Sequence, residues 1–396
     1  MSIPGLSLRA GILKPSPTLS ITAKANALKA QGIDVVSFGA GEPDFNTPEA
    51  ICETTIAAIQ AGFTKYTPSA GIKELREAIA QKLTDENHVA TAADQVVVSC
   101  GAKHSVYNCM QLLLDPGDEV LLIAPYWMTY AEQIKLAGGV PVVVYTTAET
   151  GFVPTIAEIA AKVSDRTKAI VINSPSNPTG AVLPRTFLEE LSALAVEKGF
   201  WVISDEIYEK LIYGETHVSI ASLNQDIAAQ TITIGGCSKT YAMTGWRIGF
   251  AAAPLALAKA MSNFQDQVTS NPTSFVQKGA VTAFQLPPNQ VEAMRAEFEA
   301  RRDLIVGLLA DVPGFKILAP KGAFYAFVDV RGALTSAVAD DVALSAYLLE
   351  EAKVSVIPGS VFEGAGHLRL SYAASRHDIE RGVARIREAV AKLAQA

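Results

Sequence analysis

The chain has 396 residues, 49% of them hydrophobic, with 33 Lys and Arg against 40 Asp and Glu for a formal net charge of −7. That length exceeds one ordinary core, so roughly two domains are expected, and the acidic balance argues against a nucleic-acid or anionic-membrane surface. Cys52, Cys100, Cys109 and Cys237 form no CxxC pair, the histidines are scattered without metal-ligand spacing, residues 1–13 lack a signal-peptide pattern, and the longest apolar run, 248–258, is too short to span a bilayer; a soluble cytoplasmic protein with reduced thiols, no metal and no membrane partner is expected.

In chain order, residues 1–20, with Lys14-Pro15-Ser16-Pro17-Thr18, read as an extended N-terminal arm. Residues 22–31 read as a short helix closed by Gly32. A strand over 33–38 runs into Gly39-Ala40-Gly41-Glu42-Pro43-Asp44, whose glycines would let the backbone approach a ligand closely; a plain turn explains that segment equally well. From about residue 48, helix and strand alternate, with strands over 95–99, 119–123, 140–145, 168–173, 200–204 and 231–234. Most are short β-branched runs, as in strands buried on both faces of a parallel sheet.

In such a sheet, ligands bind beyond the carboxyl ends of the strands. Those ends deliver Gly101-Ala102-Lys103-His104 opening a helix, Pro125-Tyr126-Trp127, Asn177-Pro178-Thr179-Gly180, Asp205-Glu206-Ile207-Tyr208, and the stretch from Gly235 to Gly249 that holds Lys239 and Arg247. A break at Leu286-Pro287-Pro288 precedes a charged helix over 291–309, then short strands over 324–330, 354–357 and 367–372. The expected division is an arm (1–20), a large domain (48–290) and a small domain built from 21–47 and 291–396.

Lys239 lies among small and apolar residues, and a lysine kept from water loses proton affinity and can attack a carbonyl as the neutral amine. An arginine nearby could hold a phosphate. Taken alone, a lysine and an arginine of this kind are usually solvated surface groups.

Together with Ala40-Gly41-Glu42-Pro43-Asp44-Phe45, the Asn177 loop and Asp205 with Tyr208, however, they resemble the class I aminotransferases, fold-type I enzymes that use pyridoxal 5′-phosphate, and among these the prokaryotic-type aspartate aminotransferases. The resemblance spans about 14–373. It implies an α/β fold: a large domain with a mostly parallel seven-stranded sheet flanked by helices, plus a smaller α/β domain. It also implies a homodimer with shared active sites.

By that resemblance, Lys239 would hold the cofactor as a Schiff base and move the substrate α-proton. Asp205 would pair with the pyridine nitrogen, Asn177 and Tyr208 would bond the phenolic oxygen, and Trp127 would stack on the ring. Gly101, Ala102, Arg247 and Ser238 would hold the phosphate, joined by Tyr66 from the neighbouring subunit. Arg369, with the backbone at Gly41, would grip the substrate α-carboxylate, where Trp127 and Asn177 also lie. Lys103 would meet the distal carboxylate of a dicarboxylate, with Lys14 and Thr18 covering it. Many relatives carry a serine where this chain has Gly236, which puts one phosphate contact in doubt. The expected reaction is amino transfer from aspartate to 2-oxoglutarate. The alternatives are a prephenate, aromatic or broad dicarboxylate aminotransferase, a lyase of the same fold, and a non-catalytic regulator that borrows it.

Overall fold

The structure is a computed structural model that describes residues 5, 7–12 and 17–395. Its strands are β1 (Val36–Ser37), β2 (Val96–Ser99), β3 (Glu119–Ala124), β4 (Val140–Tyr145), β5 (Thr167–Asn173), β6 (Trp201–Asp205), β7 (Thr231–Gly236), β8 (Gly249–Ala252), β9 (Lys316–Ile317), β10 (Tyr325–Asp329), β11 (Val354–Ser355), β12 (Ile357–Pro358) and β13 (His367–Ser371).

Seven of these form one sheet in the order β2-β8-β7-β6-β5-β3-β4, parallel except where β8 meets its two neighbours. Side chains alternate between the faces of a strand. Val97, Val120, Leu122, Val171 and Ile203 pack with Val106, Met110, Ile134 and Met261 on one side. Leu121, Ile170, Ile172 and Val202 pack with Leu188 and Leu191 on the other, and Val96 and Val98 with Leu75 and Ile79. Both faces are therefore covered, which accounts for the continuous apolar strands.

The expected parallel strands are present, but β8 escaped the reading of the sequence. Its residues fall within the apolar run 248–258, which has no period of its own to separate strand from helix. Glycine suits the first position of β8 because the chain there touches the start of helix Ala102–Leu113: a Cβ on Gly249 would lie 2.1 Å from the Ala102 nitrogen.

A second, antiparallel sheet has the order β12-β13-β10-β9, and β1 pairs in parallel with β11. Over this sheet lie helices Pro288–Ala310 and Arg376–Leu393. The latter buries Ile379, Val383, Ile386, Val390 and Leu393, a three-to-four-residue stripe, and Ser375 caps its start by accepting from the Asp378 amide. The segment expected as one strand over 354–357 is two, β11 and β12, each with a different partner. The helix expected over 22–31 begins earlier, at Pro17, and runs to Ala30.

Candidate active site

A cavity of about 650 Å³ opens at the carboxyl ends of β5, β6 and β7, where it meets β10, β13 and the 39–42 segment. Lys239 follows β7, and burial there drives its amine down to about 8; Glu42 opposes the shift, while Arg247 and Arg369 reinforce it. The amine donates to the Gly41 carbonyl at 2.5 Å and lies 5.9 Å from the centre of the Tyr208 ring. Such an amine holds its proton loosely enough to act as a nucleophile and as a base near neutral pH.

Asp205 ends β6 with 3% exposure. Burial raises its carboxyl to about 6, against the pull of two hydrogen bonds. Tyr130 Oη donates to Oδ2 at 2.6 Å and the Ile207 amide to Oδ1 at 3.2 Å. A buried carboxylate held by neutral donors alone is a receptor for a cationic ring nitrogen. Tyr208, three residues further in a tight turn, shares a 2.7 Å hydrogen bond with Tyr325 of β10.

Arg369 of β13 is 4% exposed and has no carboxylate in ion-pair range among the described residues. Its Nη1 donates to Asn177 Oδ1 at 3.0 Å and its Nη2 to the Gly39 carbonyl at 2.9 Å; Nε is buried without a partner. The guanidinium stacks on Tyr325 and Phe362, 4.6 and 4.9 Å from their ring centres. A buried cation met only by neutral groups is poised for an anion from outside the chain.

At the opposite wall, Gly101 caps helix Ala102–Leu113 with φ +87, and a Cβ there would fall 2.4 Å from Arg247 Nη2. Only glycine lets this guanidinium lie against the helix start, where amides and cation together suit a phosphate. Arg247 is steadied by donating to the Thr244 carbonyl at 2.9 Å and the Cys100 carbonyl at 3.3 Å. Lys103 lines the cavity over Trp127, 4.8 Å from its ring centre; desolvation, then Arg247, lowers its amine.

The cavity thus brings together Thr18, Gly41, Ala102, Lys103, Trp127, Asn177, Asp205, Tyr208, Ser238, Lys239, Arg247 and Arg369. Gly101 stands behind Arg247. Tyr66 is 91% exposed and belongs to another part of the surface of this chain, and Lys14 lies outside the described residues. Two residues at the site were not anticipated from the sequence. Tyr130 is the second residue of helix Thr129–Leu136, and Tyr325 opens a strand of the second sheet, so neither carries a local motif.

Residues 33–386 match the family Aminotransferase class I and II. A probable aspartate/prephenate aminotransferase of Aquifex aeolicus is 49% identical over 98% of this chain and 99% of its own length. An aspartate aminotransferase of Bacillus sp. strain YM-2 is 46% identical over 96% and 98%. Among solved structures, the aspartate aminotransferase from Thermus thermophilus with maleate superposes with a TM-score of 0.94 at 42% identity, covering 98% of this chain and all of that one.

Proposed function

The chain belongs to the class I and II aminotransferases, and on that premise we propose that it is a pyridoxal 5′-phosphate-dependent aspartate aminotransferase, moving the amino group of L-aspartate to 2-oxoglutarate by a ping-pong cycle that yields oxaloacetate and L-glutamate. The observation that carries this reading is the meeting in one cavity of a low-affinity amine (Lys239), a buried acid (Asp205) and a buried guanidinium without a carboxylate (Arg369).

The residues fit the cofactor. Asp205 would face its ring nitrogen, Asn177 and Tyr208 its phenolic oxygen, Trp127 its ring face, and Gly101, Ala102, Ser238 and Arg247 its phosphate. When bound, pyridoxal 5′-phosphate supplies an electron sink for the pair left on the substrate Cα as its proton departs. Lys239 Nζ is placed to take that proton from the substrate Cα, which an amine value of about 8 allows. Arg369 and the Gly41 backbone would hold the α-carboxylate and Lys103, with Thr18, the distal one; Lys14, expected to cover that group, lies outside the described residues.

We read 48–290 as the cofactor-binding domain, with 21–47 and 291–396 as the smaller one, and place the protein in the cytoplasm; no helix among the described residues is long and apolar enough to cross a membrane. Tyr66, fully presented to solvent at 91%, and the exposed Ile56 and Ile59 of helix Glu49–Gln60 suit a second copy, across which Tyr66 would reach the partner's phosphate site. Relatives named aspartate/prephenate aminotransferase favour prephenate as a second substrate.

The purified protein reconstituted with pyridoxal 5′-phosphate should absorb in the visible or near-ultraviolet and change its spectrum on addition of aspartate alone. A band indifferent to aspartate removes the proposal. Rates with aspartate, glutamate, prephenate and phenylpyruvate then assign the range.

A further inference from the structure

Behind the cavity lies a buried polar cluster that the reaction as described does not use. Along 205–209, Asp205 and Tyr208 face the cavity, whereas Glu206 and Glu209 reach away from it. Glu206, 2% exposed, accepts from Ser204 Oγ at 2.9 Å, Ser219 Oγ at 2.8 Å and Asn87 Nδ2 at 3.2 Å, and pairs with His217 Nε2 at 2.9 Å. Glu209 accepts from Asn87 Nδ2 at 2.6 Å and is ion-paired with Lys82, whose ammonium also donates to Asn87 Oδ1 at 2.6 Å.

Burial would raise the Glu209 carboxyl, but Lys82 and His217 outweigh it and hold it at about 2. For His217, burial acts downward, yet Glu206 overcomes it and leaves the imidazole above its ordinary value. Two carboxyl groups thus face an amine and an imidazole. Lys82 and Asn87 come from helix Lys73–Glu86 and the residue after it, while His217 and Ser219 come from the loop beyond Tyr208.

Burying four ionisable groups is costly compared with packing apolar ones of similar volume, so stability alone is a poor reason for the cluster. Its geometry offers another. Each carboxylate is the chain neighbour of a cavity residue, and the donors come from two separate elements, so the short 205–209 turn cannot rotate without breaking several charged hydrogen bonds. We propose that Glu206 and Glu209, clamped by Lys82, Asn87 and His217, are positioning residues that fix the Asp205 carboxylate and the Tyr208 hydroxyl toward the ring of the cofactor. This rests on the assignment of Asp205 and Tyr208 to pyridoxal 5′-phosphate made above.

The groups facing Asp205 are Tyr130 from helix Thr129–Leu136, Glu206 from the same turn, and Lys239 after β7. Burial is the main push on the Asp205 carboxyl upward, and among these groups Glu206 adds to it. Replacing Glu206 by Gln therefore has a signature that loss of a mere fold contact lacks. Affinity for pyridoxal 5′-phosphate falls by roughly ten-fold at its plateau, because one amide nitrogen now meets donors. At the same time, the pH at which affinity is lost on acidification moves downward, because a neighbouring anion is gone.

The test titrates pyridoxal 5′-phosphate into cofactor-free protein across a pH series for the parent, Glu206→Gln, Lys82→Met and Lys82→Arg, with a melting curve for each. Lys82→Met is expected to lose affinity by a similar factor, and Lys82→Arg to recover most of it because the charge on Glu209 is kept. Variants that melt lower yet bind with the parent's affinity and the parent's acid limit overturn the proposal and leave the cluster a fold element. A parent that fails to bind pyridoxal 5′-phosphate at all overturns the cofactor assignment instead.

Discussion

Tyr130 Oη lies 2.6 Å from Asp205 Oδ2, a phenol from the first turn of helix Thr129–Leu136 hydrogen-bonded to the acid at the end of β6. Burial drives the Tyr130 hydroxyl far above its ordinary range, so it remains a donor at every working pH. A donor to the charged form favours ionisation, and it counters the burial that otherwise keeps Asp205 protonated. Tyr130→Phe is therefore expected to raise the pH below which the protein releases pyridoxal 5′-phosphate by roughly one unit. This is the opposite direction from Glu206→Gln. The check is cofactor affinity against pH, and an acid limit that stays in place contradicts the role.

The same carboxyl makes the cofactor-free protein pH-sensitive. Asp205 sits at about 6 when folded against 3.8 in an unperturbed chain, so between those values the folded state binds more protons than the unfolded one. Stability from this group falls as pH rises through that window and stays reduced above it. Asp205→Asn removes the buried charge, and the cofactor-free variant is expected to gain on the order of 2 kcal/mol above about pH 7 while losing most of its transaminase activity. Denaturant melts of the two cofactor-free proteins decide it; a variant no more stable than the parent contradicts the buried-charge account.

On the proposed assignment, Arg369 meets the substrate α-carboxylate and Lys103 the distal one. The Arg369 fork is fixed by Asn177, Gly39 and two aromatic faces, whereas Lys103 is an exposed cation over Trp127. Arg369→Lys is expected to lower kcat/KM by roughly 100-fold on aspartate and alanine alike, since every amino acid carries the α-carboxylate. Lys103→Ser is expected to lower it for aspartate far more than for alanine. Equal proportional losses on both substrates in the Lys103 variant would remove its assignment to the distal carboxylate.

How much of this was legible in the sequence follows from where each residue sits. Lys239, Asn177 and Trp127 stand just beyond strands of a mostly parallel sheet and Asp205 at the end of one, so locating β3, β5, β6 and β7 located them too. Strand β8 was missed because it runs antiparallel inside an unbroken apolar stretch, and β11 and β12 were merged because a four-residue run does not reveal that its halves pair with different partners. Tyr130 and Tyr325 became visible only in three dimensions. Their hydroxyls meet Asp205 and Tyr208 from 75 and 117 residues away, and no local period encodes such a meeting.

Gly236 shows why a departure from the pattern of many relatives need not be a gap. Its backbone pairs with Gly249 between β7 and β8, and a Cβ on Gly236 would lie 2.9 Å from the Gly249 Cα and 2.9 Å from the Ile248 carbonyl, with Ile207 Cδ1 at 3.2 Å. Two of those neighbours are backbone and cannot turn aside. Moving β8 to make room would press Gly249, already against the Ala102 nitrogen, into the start of helix Ala102–Leu113, where the cofactor phosphate is proposed to bind. Gly236→Ser is accordingly expected to destabilise the protein by roughly 1–3 kcal/mol, the usual range for overpacking, and to weaken its hold on pyridoxal 5′-phosphate rather than strengthen it through an added hydroxyl. A melting curve and a cofactor titration of the same variant separate the cases: tighter binding without loss of stability would mean that β7 and β8 part more easily than their close contact indicates.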